Sequence, residues 1–227
     1  MSDATSILVL SACTATKTSE GSDHAVLAEE LYAGQQHRRL MRGITVYRAA
    51  GQPCGPLDLH IMSAAHGVVA GDQPLRSYNA SFTGMRRQAL RKRAARLGVP
   101  QAVTDLLGER RRLSVLLLGD DYLRAAELDS AMELGAPTLV FTSPNSATRL
   151  PVIPGLHPIA LNNGDARRFS CGLVALKGDL AARLLIRLAH APKARIPFDR
   201  ARLLSWLEEK PAMGSVRSVK QDLAEVA

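Results

Sequence analysis

A chain of 227 residues that is 46% hydrophobic, 22% charged and 4% aromatic can bury a substantial core, and its composition excludes a disordered, collagen-like or coiled-coil protein. Its three scattered cysteines, Cys13, Cys54 and Cys171, fit neither a zinc pattern nor a disulfide framework, and no apolar run suits a bilayer span or a secretory signal; a cytoplasmic, metal-free protein with no membrane partner is expected. The net charge of +8 is concentrated, because residues 83–112 carry nine Lys/Arg against two Asp/Glu while the rest is close to balance. Such a stretch is either the solvated face of a helix or a local field that attracts a polyanion.

In chain order, residues 6–10 read as a buried strand that opens at Ser11-Ala12-Cys13 into a polar loop, 14–23. Val26, Leu27, Leu31 and Leu40 predict a helix over 25–42, and 44–49 fits either a strand or the end of that helix. Beyond a turn at 53–56, residues 57–63 predict a second buried strand, 68–82 a loop rich in Gly, Pro, Asn and Ser, and 83–97 a basic helix. The most strand-like segment, 113–118, ends at Gly119-Asp120-Asp121 and precedes a predicted helix over 122–134. A strand over 138–141, a loop punctuated by Pro151, Pro154 and Pro158, and helices over 172–190 and 199–209 complete the pattern, with Trp206 expected in the core. Strands alternating with helices predict an α/β protein: three layers, a parallel or mixed central sheet and helices on both faces. Residues 1–195 are expected to form this domain and 196–227 a small helical appendage.

Walker A, GxGxxG, HExxH and GxSxG motifs are all absent from the sequence. What remains is a set of polar residues at strand ends, where such sheets gather ligands. Ser11, Cys13, Thr14 and Lys17 follow the first strand; small residues there let backbone N–H groups approach a phosphate or base. Glu29, Glu30, Tyr32 and Gln35 lie on the next predicted helix, where adjacent glutamates are ordinarily surface residues but one turned into a cleft serves as acid or base. Ser63, His66, Asp72, Tyr78, Asn79 and Ser81 crowd the second strand end and the long loop after it. Asp120 and Asp121 follow the best strand, where an N-cap with first-turn acids accounts for one aspartate but not obviously both. Ser143, Asn145, Ser146 and Arg149 form the last group.

Three segments together resemble a known bacterial family: residues 11–17 (SACTATK), 28–35 (AEELYAGQ) and 62–69 (MSAAHGVV) with Asp72 and Tyr78-Asn79-Ala80-Ser81. The order resembles the DUF6884 group, related to the peroxide-stress YaaA proteins and distantly to uracil-DNA-glycosylase-like folds, and Gly119-Asp120-Asp121-Tyr122 resembles its later G-x-x-Y element. The likeness covers roughly residues 6–135. Asn79 stands where the family usually has Asp, and Gln36-His37 where an aromatic is common. Ser143-Pro144-Asn145-Ser146-Ala147 resembles the uracil-glycosylase segment that grips the DNA backbone.

The resemblance implies a protein that handles nucleobases or DNA. Its sharpest form is a glycosylase that removes a modified base, such as glucosylated hydroxymethylcytosine in phage DNA, in an antiviral setting. Breaking an N-glycosidic bond needs a carboxylate near the anomeric carbon, a water and a donor for the departing base, with no metal or organic cofactor. Asp120 is the first candidate for the carboxylate because a strand end fixes it, with Asp72 and Glu30 as alternatives. His66 and Asn79 suit hydrogen bonds to the base, Tyr32 and Tyr78 suit stacking, and Ser11, Cys13, Lys17, Gln35, Ser63, Ser81, Ser143 and Asn145 suit base or phosphate contacts. Arg86, Arg87, Arg91, Lys92, Arg93 and Arg96 would hold the DNA backbone around a flipped nucleotide. A DNA-binding protein without catalysis, and an N-glycosidase acting on free nucleosides or nucleotides, remain the alternatives.

Overall fold

The computed structural model describes residues 6–18 and 24–209. Its elements in chain order are β1 (Ile7–Ala12), β2 (Val26–Leu27), α1 (Ala28–Leu31), α2 (Gln35–Ala49), β3 (Leu57–Ser63), β4 (Gly67–Ala70), β5 (Pro74–Leu75), α3 (Arg87–Arg96), α4 (Val99–Gly108), β6 (Leu113–Leu117), α5 (Asp120–Ala126), β7 (Thr138–Thr142), α6 (Pro144–Ala147), β8 (Leu156–Ala160), α7 (Asn163–Arg168), α8 (Leu173–His190) and α9 (Arg200–Glu208). Six strands form one sheet in the order β4-β3-β1-β6-β7-β8, parallel except for the antiparallel edge strand β4. The α/β expectation with a mixed sheet and flanking helices holds. Every residue of β1, β6 and β7 is buried, as near-continuous apolar runs in a sheet covered on both faces should be. Among the described residues no helix is long and apolar enough to cross a membrane.

Right-handed crossovers assign the layers. The connection from β1 through α2 moves one way along the sheet to β3, while those through α4 and α5 move the other way, to β6 and β7. Accordingly α2 packs with α8 on one face, and α3, α4 and α5 pack together on the other. Chain direction therefore reverses between β1 and β6, and the crevice above their carboxyl ends is the position where open α/β sheets take ligands. The α2–α8 contact is backbone-close: a Cβ on Gly178 would lie 2.0 Å from the Gln36 carbonyl oxygen, and one on Gly43 would lie 2.3 Å from the Ala182 Cα. At the far edge, β8 carries Pro158, and Arg200 Nε donates to the Ala160 carbonyl at 2.6 Å.

Several boundaries differ from those the sequence predicts. The helix expected over 25–42 is interrupted at residues 32–34, where Tyr32 turns extended and Gly34 lies so near Thr14 that a Cβ would come within 2.6 Å of it. Residues 44–49 are the end of α2, since Ile44 and Tyr47 bury at helical spacing. The loop expected over 68–82 begins as β4, entered through Gly67 at φ 77°. The basic helix starts at Arg87, and α4 behind it was not anticipated. The helix expected over 122–134 starts at Asp120 and stops at Ala126, because Glu127 adopts φ 48°. The proline-punctuated loop contains β8, and α7 follows with an Asn162–Asp165 capping box. In the expected appendage, α9 packs on α8 and β8 and buries Leu203, Leu204 and Leu207; residues 210–227 lie outside the described residues.

Candidate active site

Asp120 opens α5 immediately above β6, with Gly119 as the N-cap residue. Ser143, at the end of β7, donates its hydroxyl to Asp120 Oδ1 at 3.1 Å while accepting from the Ser146 amide as the cap of α6. Arg149 reaches within 3.8 Å of Oδ2. Burial opposes the charge on Asp120, but hydrogen bonds from Ser146 and Ser143, with Arg149 and Lys177 nearby, outweigh it and hold the carboxyl below its usual range. Asp120 is thus an ionised acceptor at neutral pH, with 40% of its side chain exposed.

An open cleft of about 940 Å³ lies beside this carboxylate, lined by Arg87 and Arg91 from α3, Leu123, Arg124 and Glu127 from α5 and its end, Asp129, Ser146, and the segment from Arg149 to Pro151. Arg91 pairs with Glu127 at 3.2 Å and Arg124 with Asp121 at 2.7 Å, whereas Arg87 has no acidic partner among the described residues. Arg87 and Arg91 share a helix face at i, i+4 spacing. The cleft therefore presents arginines from three parts of the chain around three carboxylates, of which Glu127 is taken by Arg91.

Two further polar side chains close the sheet end from the α2–α8 side. Gln36 donates to the Leu117 carbonyl at 3.0 Å and to Ser11 Oγ at 3.4 Å, bridging β1 and β6. Lys177 Nζ donates to the Leu118 carbonyl at 2.6 Å. Burial destabilises this ammonium and Asp120 partly restores it, leaving the Lys177 pKa at about 8.

A second cluster, of hydroxyls and a thiol beside the Lys17 ammonium, occupies the ends of β1 and β3. Ser63 Oγ accepts from the amides of Ala65 and His66 and donates to the Tyr78 hydroxyl at 2.7 Å, and Tyr78 in turn meets the Tyr32 hydroxyl at 2.7 Å. Lys17 Nζ lies 4.5 Å from the Tyr78 ring centre, and the His66 ring meets Tyr78 edge-on at 5.0 Å. Cys13 Sγ and the Tyr122 hydroxyl are 2.9 Å apart, linking this cluster to α5. Burial pushes the Tyr32 phenol up to about 12, and Tyr78 and Tyr122 higher still. These groups exchange neutral hydrogen bonds and carry no phenolate at physiological pH.

The expected site residues divide accordingly. Asp120, Ser143, Arg87 and Arg91 come together at the cleft. Cys13, Lys17, Tyr32, Ser63 and Tyr78 come together in the closed cluster, where Tyr32, 2% exposed, is too buried to stack on a base, while Ser11 is buried on β1 and meets Gln36 instead. His66, Asn79 and Ser81 are exposed around that cluster, with Ser81 accepting from the Thr83 amide, and none of the three lines the Asp120 cleft. Asn145 is exposed on α6, and Gln35 is exposed at the start of α2. Asp72 is exposed past β4, where the chain has run back down the sheet edge from Ser63, and lies near Arg48 and His60. Glu30 is exposed on α1, while its neighbour Glu29 pairs with Arg48 at 2.9 Å. Neither Asp72 nor Glu30 reaches the cleft.

Of the basic set, Arg93 is spent internally, donating to the Ala64 carbonyl at 2.7 Å, and Arg86, Lys92 and Arg96 are exposed outside the cleft lining. Sequence reasoning noted Gln36 only as a departure from the family's aromatic and passed over Lys177. Lys177 is one of several polar residues on an amphipathic helix, with Asp179, Arg183, Arg187 and His190, and only its depth, not its spacing, distinguishes it. No family model matches the chain, and no curated protein matches it.

Proposed function

We propose that the protein is a DNA glycosylase, cleaving the N-glycosidic bond of a modified base to leave an abasic site, with the Asp120 cleft receiving the flipped nucleotide. The observation that carries this reading is an ionised strand-end carboxylate, fixed by Ser143, in an open cleft ringed by Arg87, Arg91, Arg124 and Arg149. A carboxylate so placed stabilises the positive charge that develops on the sugar as the base departs. Arginines on the rim suit the phosphates on either side of an extruded nucleotide, whose flipping costs a few kcal/mol. Of the DUF6884-like motif residues, Ser11, Cys13, Lys17, Ser63 and Tyr78 lie at the carboxyl edge of the sheet while Asp72 and Glu30 lie away from it; the resemblance itself supports a nucleobase ligand.

The test uses duplex oligonucleotides that carry cytosine, hydroxymethylcytosine or glucosylated hydroxymethylcytosine at one position, incubated with the protein and then treated with alkali. Strand scission at a modified position is the expected result. A salt-dependent gel shift with no scission on any substrate makes the protein a binder without catalysis. Release of base from free nucleosides alone makes it an enzyme of monomers.

A further inference from the structure

Glycosidic cleavage leaves an electron pair on the departing base, and the residues expected to meet it, His66 and Asn79, lie outside the Asp120 cleft. The four arginines that line the cleft are not equivalent. Arg91 and Arg124 are tied to Glu127 and Asp121, and Arg87 stands on α3. Arg149 is the one of the four that pairs with Asp120, and its Nη2 stops 3.8 Å from Oδ2, beyond hydrogen-bond length. Its Nε donates to the Asn145 carbonyl at 2.9 Å, and no hydrogen-bond acceptor for its terminal nitrogens is found among the described residues. The guanidinium is therefore anchored at one end and open at the other, with 47% of the side chain exposed along the cleft wall. One short turn, α6, fixes both charges: Ser143 at its start holds Asp120, and the Asn145 carbonyl holds Arg149.

We propose that Arg149 receives the base as it leaves, donating hydrogen bonds to it and neutralising the negative charge that bond cleavage puts there, an assignment that rests on the glycosylase reading above. The bond from C1′ to the base nitrogen breaks with its electron pair going to the base. A guanidinium keeps its protons throughout the range in which proteins stay folded, so the base departs as an anion held by charge and hydrogen bonds. Water then adds at C1′, and the proton it loses goes to the base anion, so the products are the free base and an abasic sugar with both side chains unchanged. Cleavage creates two opposite charges one bond length apart, positive on the sugar carbon and negative on the base. Asp120 and Arg149 are two opposite charges side by side in the cleft, already in place before the reaction and needing no rearrangement to meet them. The pairing also explains why one arginine of the set is held away from the α3 wall, where the phosphates of the strand would lie.

The experiment measures single-turnover abasic-site formation between pH 6 and 9, at saturating protein, on duplexes carrying whichever base the unaltered protein removes, with folding followed by circular dichroism and DNA affinity by gel shift. Arg149→Met is expected to lose about 10²- to 10³-fold in rate at every pH, with duplex affinity changed less than about twofold. Arg149→Lys keeps the charge without the planar fork and is expected to recover part of that loss. The pH series separates this role from upkeep of the carboxylate. Against the effect of burial, Arg149 joins Ser146 and Ser143 in keeping Asp120 ionised, so a variant that had lost nothing else would regain its rate as pH rises. A loss that disappears by pH 9, a rate close to that of the unaltered protein, or a fall in affinity as large as the fall in rate overturns the role of Arg149 while leaving the glycosylase reading intact; the last of these makes it a phosphate contact. No abasic product from the unaltered protein on any base overturns both.

Discussion

Two polar clusters share the carboxyl edge of one sheet and differ in what burial has done to them. Around Asp120 the groups are ionised, partly exposed and beside an open cleft. Around Tyr78 they are hydroxyls and a thiol packed against one another beside one ammonium, Lys17, with Tyr32 and Ser63 sealed and the phenols driven away from ionisation. A buried hydrogen-bond chain that satisfies itself fixes local geometry and offers little to a substrate. A carboxylate held ionised by two serines and an arginine offers charge where chemistry needs it. Polar residues at strand ends thus serve as scaffold at β1 and β3 and as candidate machinery at β6 and β7.

The sharpest way to break this division is Asp120→Asn, which keeps the shape and removes the charge. Abasic-site formation should fall by at least about 10³-fold, with duplex affinity by gel shift changed less than about twofold; normal turnover would move the chemistry elsewhere. Replacing Arg87 and Arg91 together by alanine should do the reverse, weakening binding about 10- to 100-fold and flattening its salt dependence by nearly two phosphate contacts. An unaltered salt slope would mean that the cleft is not where DNA lies.

Lys177 adds a linkage test. Its folded pKa, about 8, is below the ordinary lysine value, so the unfolded chain binds more protons between pH 8 and 10.5 and stability rises with pH across that window. Lys177→Met should be the more stable protein at pH 7, by roughly 1–3 kcal/mol given ~1.4 kcal/mol per pKa unit. Its advantage should shrink by pH 10 in denaturant titrations, and equal gains at both pH values would contradict the buried-ammonium picture. The smallest expected effect is on the neutral side. Tyr78→Phe removes the hydroxyl between Ser63 and Tyr32 and should cost about 1–3 kcal/mol in thermal unfolding while leaving abasic-site formation within about twofold. Loss of activity there would make the phenol cluster part of the reaction.

The layered α/β plan was legible because its central strands are apolar on both faces, and Asp120 was legible because a polar run follows the strongest of them. Elements set by tertiary contact were not legible. Tyr32 leaves the helix where its backbone pairs in an antiparallel bridge with Lys17 and its hydroxyl meets Tyr78, 46 residues away, and a local helical pattern has no trace of either partner. Glu127 stops α5 with a left-handed turn that its residue type does not announce. The β-branched run at the end of α2 suggests a strand, but its burial against the core keeps it helical. Charge counting could not tell Arg93, consumed by a backbone carbonyl, from Arg87, which faces the cleft. Lys177 escaped notice because a single lysine in an amphipathic helix is ordinarily a snorkelling surface residue.

The last strand has a consequence for assembly. Pro158 removes one donor from the outer border of β8, and the Arg200 guanidinium occupies the carbonyl of Ala160, so a strand from another molecule would find neither partner at those positions. Growth of the sheet through that border is blocked by the chain itself, and any association between copies that uses this end of the molecule has to proceed through side chains of α9 rather than through main-chain pairing.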